Sequence, residues 1–104
     1  MGKPIKIRAK VKDGVADVKA LMPHDMESGF RLDPETAETI PAHYITDVDV
    51  ALNGEHVMTA YWGPAVSRNP YVAFKINGAA SGDTLMIRWR DNMDDSSETE
   101  IALK

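Results

Sequence analysis

The stretch Ile5-Lys6-Ile7-Arg8-Ala9-Lys10-Val11-Lys12-Asp13-Gly14-Val15-Ala16-Asp17-Val18-Lys19-Ala20 decides the fold class. Apolar and polar residues alternate with a period of two, the spacing that puts side chains on one face of a strand. Ile5, Ile7, Ala9 and Val11 point one way, and Lys6, Arg8, Lys10 and Lys12 the other. This predicts a half-buried strand with a basic outer face. Asp13-Gly14 suits a tight hairpin turn, because glycine accepts a positive φ without a steric cost. The second strand runs through Val15, Ala16, Val18 and Ala20 and ends near Met22, just before Pro23.

The same period recurs downstream. A third strand spans Tyr44 to Leu52, with Tyr44, Thr46, Val48, Val50 and Leu52 on one face. Asn53-Gly54 is a strong hairpin signal, and His56 to Tyr61 returns antiparallel. Tyr71 to Ile76 carries Val72, Phe74 and Ile76 inward. Leu85, Ile87 and Trp89 mark a sixth strand, and Glu98 to Leu103 closes the chain with Ile101 and Leu103 inward. Seven short strands separated by turn signals indicate an all-β, immunoglobulin-like antiparallel sandwich, with Trp89 in its core. A small barrel is the alternative architecture. At 104 residues, positions 1–104 form a single domain.

Composition narrows the function. Hydrophobic residues are 43% and charged residues 27% of the chain, which is globular rather than disordered. The net charge is −4. A mildly acidic chain without a basic patch is a poor candidate for nucleic acid, which demands clustered Lys and Arg. The absence of cysteine removes disulfides, thiolate nucleophiles, Fe–S clusters and Cys-type zinc sites. No apolar run reaches the roughly 20 residues of a membrane span, so no membrane association is expected. Met1-Gly2-Lys3-Pro4-Ile5 leads directly into the alternating pattern, and no secretory signal is expected.

The inventory for catalysis is thin. His24, His43 and His56 have no i, i+4 or H-x-H spacing, so they read as scattered, exposed side chains rather than metal ligands. The iron centre of the superoxide reductases, a β-sandwich family, takes four histidines and a cysteine, and this chain has three and none. No Gly-x-Ser-x-Gly elbow surrounds any serine. Asp47 and Asp49 read as solvated on an outer strand face. The acidic run Asp91 to Glu98 reads as a solvated hairpin tip. No cofactor and no enzymatic activity are expected.

Residues 23–42 break the strand pattern with three prolines and a glycine. Asp33 and Pro34 suit the start of a short helical turn over 34–38. Within this loop, His24-Asp25-Met26-Glu27-Ser28-Gly29-Phe30-Arg31 sets a methionine and a phenylalanine among charges. Met26 and Phe30 either plug the end of the sandwich or meet a partner, for which Met, aromatic residues and Arg are typical anchors. A second irregular stretch, Tyr61 to Tyr71, concentrates aromatics beside prolines. Trp62 reads as a packed corner, and Asn69, Pro70 and Tyr71 as part of the same binding end.

These two stretches carry a resemblance. His24-Asp25-Met26-Glu27-Ser28-Gly29-Phe30-Arg31 resembles the His-Pro-Met-Glu-Thr-Gly-x-Arg loop of the SoxZ family. Pro64-Ala65-Val66-Ser67-Arg68-Asn69-Pro70-Tyr71-Val72-Ala73-Phe74 is similar to that family's Pro-Ala-Ile-Ser-x-Asn-Pro-Tyr-x-x-Phe segment. Ile40-Pro41 and Asn53-Gly54-Glu55 also fit, and the likeness covers nearly the whole chain. Asp25 departs from the family proline and Ser28 from its threonine. The resemblance implies the Z half of SoxYZ, a periplasmic sulfur-carrier heterodimer of thiosulfate oxidation. Its partner, SoxY, bears the carrier cysteine on a flexible Gly-rich arm and explains export without a signal in Z. The complex then makes transient contacts with a Sox cytochrome, a thiosulfohydrolase and a sulfur dehydrogenase. His24, Met26, Glu27, Gly29, Phe30, Arg31, Asn69, Pro70 and Tyr71 are the expected recognition residues. The alternatives are a metal-binding β-sandwich enzyme and a generic immunoglobulin-like adhesion or chaperone module.

Overall fold

A computed structural model describes residues 3–104. The alternating segments become seven strands: β1 (Lys6–Lys12), β2 (Val15–Leu21), β3 (Ile45–Leu52), β4 (Glu55–Tyr61), β5 (Tyr71–Asn77), β6 (Thr84–Asp91) and β7 (Ser96–Ala102). They pair antiparallel in two sheets, ordered β1-β2-β5 and β4-β3-β6-β7. This is an immunoglobulin-like sandwich in which the fourth strand pairs with the third rather than with the fifth. Two open sheets with separate edges replace the barrel alternative.

The turns follow the chemistry that predicted them. Asp13 and Gly14 take φ of 54° and 77°, and Asn53 and Gly54 take 52° and 83°. Positive φ at both central residues is the type I′ geometry, whose twist matches the strands it joins. Between the sheets, Ala16, Val18 and Ala20 of β2 face Val48 and Val50 of β3 and Leu85, Ile87 and Trp89 of β6. All eight are essentially inaccessible, and Trp89 is the largest of them.

The third strand differs from a simple alternation. The register shifts between Ile45 and Asp47, so Ile45 is fully buried where Thr46 was expected. Thr46 instead turns its hydroxyl to Asp47 Oδ1 (2.8 Å). A bulge inserts one residue and swaps the facing of everything before it, which period-two reading does not detect. On the outer face of the same sheet, Asp47 and Asp49 are not solvated. They pair across the strands with Arg90 (3.1 Å) and Arg88 (2.8 Å), and the two aspartates keep 13% and 16% of their side-chain surface exposed.

Residues 26–43 form an arm rather than a loose loop. The chain runs out and back through bridges at Glu27–His43 and Leu32–Thr39. Asp33 N–H donates to Glu38 O and Ile40 N–H to Arg31 O, both at 2.8 Å. Asp33 does cap, accepting from Glu35 N–H at 2.8 Å. However, 34–36 make a turn that closes the arm and no helix forms, because Ala37 takes a φ of 60°. A seven-residue strand spans roughly 23 Å. The long axis of 54 Å, against 20 and 19 Å across, therefore places the arm beyond the end of the sandwich.

The core pattern sets an expected mutational response. Ile87→Ala removes fully buried volume opposite β2 and should cost about 2–4 kcal/mol in urea unfolding, whereas Val57→Ala on the exposed side of β4 should change stability by less than about 0.5 kcal/mol.

Candidate functional site

The residues singled out in the two irregular stretches meet at one end of the sandwich, around Asp91. This aspartate is the last residue of β6 and begins the acidic run. It is 5% exposed, not solvated as its neighbours suggested. Its Oδ1 accepts the backbone N–H groups of Met93 and Asp95, each at 2.9 Å. Its Oδ2 accepts from His24 Nε2 (3.0 Å) and His43 Nε2 (2.7 Å). A buried carboxylate is tolerated only when its acceptor sites are filled, and these four donors fill them. Burial alone would raise the Asp91 carboxyl. The bonds from His24, the Asp95 N–H, His43 and the Met93 N–H outweigh it and hold the group below the ordinary carboxylate value of 3.8.

Two of the three histidines are thus brought together, against the expectation of scattered exposed rings. His24 is 8% exposed and stacks edge-on against Trp89 (centroids 4.9 Å) and His43 (4.5 Å). His56 sits at the opposite end of β3, exposed and bonded to Thr59 Oγ1 at 2.6 Å. One ligand atom each from His24, His43 and Asp91 lies within 4.8 Å of the others, the raw geometry of a metal site. The protonation pattern argues against that use. Met26 N–H donates to His24 Nδ1 at 3.0 Å, so the network assigns the ring proton to Nε2. A metal at Nε2 needs the lone pair that this proton occupies. The three side chains form a hydrogen-bonded clamp.

The clamp ties three segments together. His24 N–H donates to Asn69 Oδ1 (3.0 Å) while Asn69 N–H donates back to His24 O (2.9 Å). Met22 N–H donates to Pro70 O at 2.9 Å. On the other side, Asn92 Nδ2 donates to Ala42 O and Tyr44 N–H to Asn92 Oδ1, both at 2.8 Å. Met26 is buried at a φ of 51° and its Sδ accepts from Ile45 N–H at 3.3 Å.

The nine expected recognition residues therefore divide. His24, Met26 and Pro70 are buried in the junction. Asn69 is exposed but spends its amide oxygen on His24. Glu27 and Gly29 shape the arm. Gly29 has a φ of 88°, and a Cβ there would stand 3.1 Å from the Ala42 Cβ. Ser28 Oγ accepts from Phe30 N–H at 3.2 Å. Arg31 grips Glu27 with two nitrogens, at 2.7 and 3.1 Å, and this bond holds the Glu27 carboxyl below its usual range. Phe30 (86% exposed), Leu32 (58%) and Tyr71 (61%) are left facing outward. Leu32 was missed in the sequence; its signal was an apolar residue two positions after Phe30, on the same side of an extended segment.

A depressed folded-state value means that Asp91 contributes stability fully above 3.8, and that this contribution is lost as pH falls through the lower folded value. Asp91→Asn should cost about 2–4 kcal/mol at neutral pH, since an amide nitrogen cannot accept from either histidine. The gap between variant and wild type should narrow in urea titrations carried below pH 3.8.

Comparison with known proteins fixes the family. The model for the family described as sulphur oxidation protein SoxZ matches residues 5–102. No match is found among the curated proteins. Among solved structures, a superoxide reductase (neelaredoxin) from Ignicoccus hospitalis superposes with a TM-score of 0.69 at 19% identity, covering 99% of this chain and 80% of that one. A hypothetical protein from Pyrococcus horikoshii OT3 superposes at 0.62 with 15% identity, covering 99% and 89%. At such identities these likenesses speak for the shared sandwich alone. With all but a few terminal residues matched, and with the Asn69-Pro70 corner and the His24 loop joined at one end as the two family motifs, the chain belongs to the SoxZ family of sulfur-oxidation subunits.

Proposed function

We propose that this protein is the non-catalytic half of a periplasmic sulfur-carrier heterodimer. It pairs with a SoxY-type subunit and holds that subunit's cysteine-bearing arm for the enzymes of thiosulfate oxidation. The observation that carries the reading is the arm of 26–43. Phe30 and Leu32 are exposed on a segment braced by backbone bridges, by the Glu27–Arg31 pair and by the buried clamp at its base. Large apolar groups held rigidly in water suit an interface, because little conformational entropy is left to lose on binding. With no cysteine, this chain cannot itself carry a thiol-linked sulfur intermediate. Its role is that of a rigid base for a partner that does.

Asn69 lies at the foot of the arm, joined to it through His24. We assign the Y contact to Phe30, Leu32 and Arg31 on the arm, whereas Tyr71 borders the outer face of the β1-β2-β5 sheet. His24, Met26 and Pro70 fix the geometry from beneath. The metal-enzyme alternative loses its strongest support in the protonated His24 Nε2.

Tagged protein recovered from its source grown on thiosulfate should bring down, near one to one, a chain ending in a Gly-rich segment with a single cysteine. Recovery alone, loaded with metal, would overturn the reading. Phe30→Asp with Leu32→Asp should lower capture of that chain at least about tenfold while leaving the melting temperature unchanged, since both side chains are exposed.

A further inference from the structure

The acidic balance of the chain suggested no basic patch, but the basic outer face expected of β1 extends over the whole of its sheet. On the outer face of the β1-β2-β5 sheet, Lys6, Arg8, Lys10 and Lys12 of β1 stand beside Lys19 of β2 and Lys75 of β5. These are half of the chain's twelve Lys and Arg residues. Asp17 is the only acid among the strand positions of that face. None of the six cations makes an ion pair among the described residues. Arg31, Arg88 and Arg90, by contrast, are each neutralised by an aspartate or glutamate. Because the chain's net charge is −4, the remainder of the molecule is correspondingly acidic.

We propose that this face is a docking surface for a carboxylate-rich patch on another protein, separate from the arm that we assign to the Y subunit. Three features support it. Arg8 and Lys19 are direct cross-strand partners, a like-charge pair that opposes folding and that the fold itself does not require. Lysines on an edge strand also discourage sheet-to-sheet aggregation, but β2 is the central strand, so that explanation does not extend to Lys19. Further, Lys6, Arg8 and Lys19 border a concavity of about 570 Å³ floored by Leu21 and the exposed Tyr71. Cations around a small apolar floor match the anatomy of a protein contact. Finally, a long polyanion or an anionic bilayer would extend past the face onto the acidic remainder and be repelled. A local acidic patch meets the cations alone.

The test is a titration of the full-length, isotope-labelled chain with an oligoglutamate peptide, followed by backbone amide shifts. The expected result is perturbation confined to β1, β2 and β5, weakening about tenfold between roughly 20 and 200 mM salt. Lys19→Glu should lower peptide affinity and at the same time raise the melting temperature, because it turns the Arg8 pair attractive. A merely structural lysine would not link those two changes. Lys6→Gln with Lys10→Gln should lower affinity with the fold intact. No perturbation at low salt would overturn the proposal. So would stronger binding to a short DNA duplex or to phosphatidylserine vesicles than to the peptide, which would mark a surface for extended polyanions. The titration needs no Y subunit, so its failure leaves the heterodimer reading standing, and loss of Y capture by the arm variants leaves this one standing.

Discussion

The architecture of the arm-bearing end of the sandwich depends on one buried carboxylate. Asp91 closes β6 and must be satisfied there without water. Its four donors come from two places: the turn that follows it, and the two histidines that flank the arm. Because both histidines donate to the same oxygen, the base of the arm is pinned at its outgoing and returning strands together. The carboxylate thereby converts a 20-residue irregular segment, which would otherwise carry a large entropy, into a braced projection. Trp89, edge-on to His24, transmits the same constraint into the hydrophobic core.

This explains why three of the residues most easily read as a binding motif, His24, Met26 and Pro70, lie beneath the surface. His24 is needed for its position between three segments, with one ring nitrogen accepting from Met26 N–H and the other donating to Asp91. Asn69 and His24 exchange hydrogen bonds so that the corner before β5 follows the arm. Gly29 is required both by its backbone angle and by the closeness of Ala42. These buried and half-buried members of the motif fix the position of the exposed Phe30 and Leu32.

How much of this was legible in the sequence varies with the range of the interaction. Strand identity, both type I′ turns and the burial of Trp89 are local or periodic properties, and alternation exposed them directly. The bulge at Ile45 was hidden, because an inserted residue leaves the composition unchanged while reversing the pattern. The clamp was hidden for another reason: its members are separated by 48 and 67 positions. No spacing rule links residues joined only by sheet topology. Asp91 was further disguised by its acidic neighbours Asp94 and Glu98, which are exposed as a charge run ordinarily is. The arm was read as irregular, correctly, but its bracing rests on backbone bonds that no side-chain pattern announces.

The two outer faces of the sandwich show how one fold disposes of charge in opposite ways. On the β4-β3-β6-β7 sheet the two aspartates of β3 each meet a cross-strand arginine, Asp47 with Arg90 and Asp49 with Arg88, and the further acids of that face, Glu98 and Glu100, stand exposed on β7. Arg88 is held raised by its bond to Asp49, and Asp49 lowered by the same contact, so the pair is fixed in its ionised form. Charges neutralised in this way exert little field at a distance, and what remains on this face is acidic. On the β1-β2-β5 sheet the register brings Arg8 opposite Lys19 and leaves only Asp17 among the cations. Either arrangement was available to strands of the same length and alternation. Stability favours the paired one, since opposite charges across a strand pair attract and like charges repel. A sheet that keeps its cations bare retains a field reaching about one Debye length, roughly 10 Å, into solvent. It gives up a little stability for the capacity to orient something negative before contact.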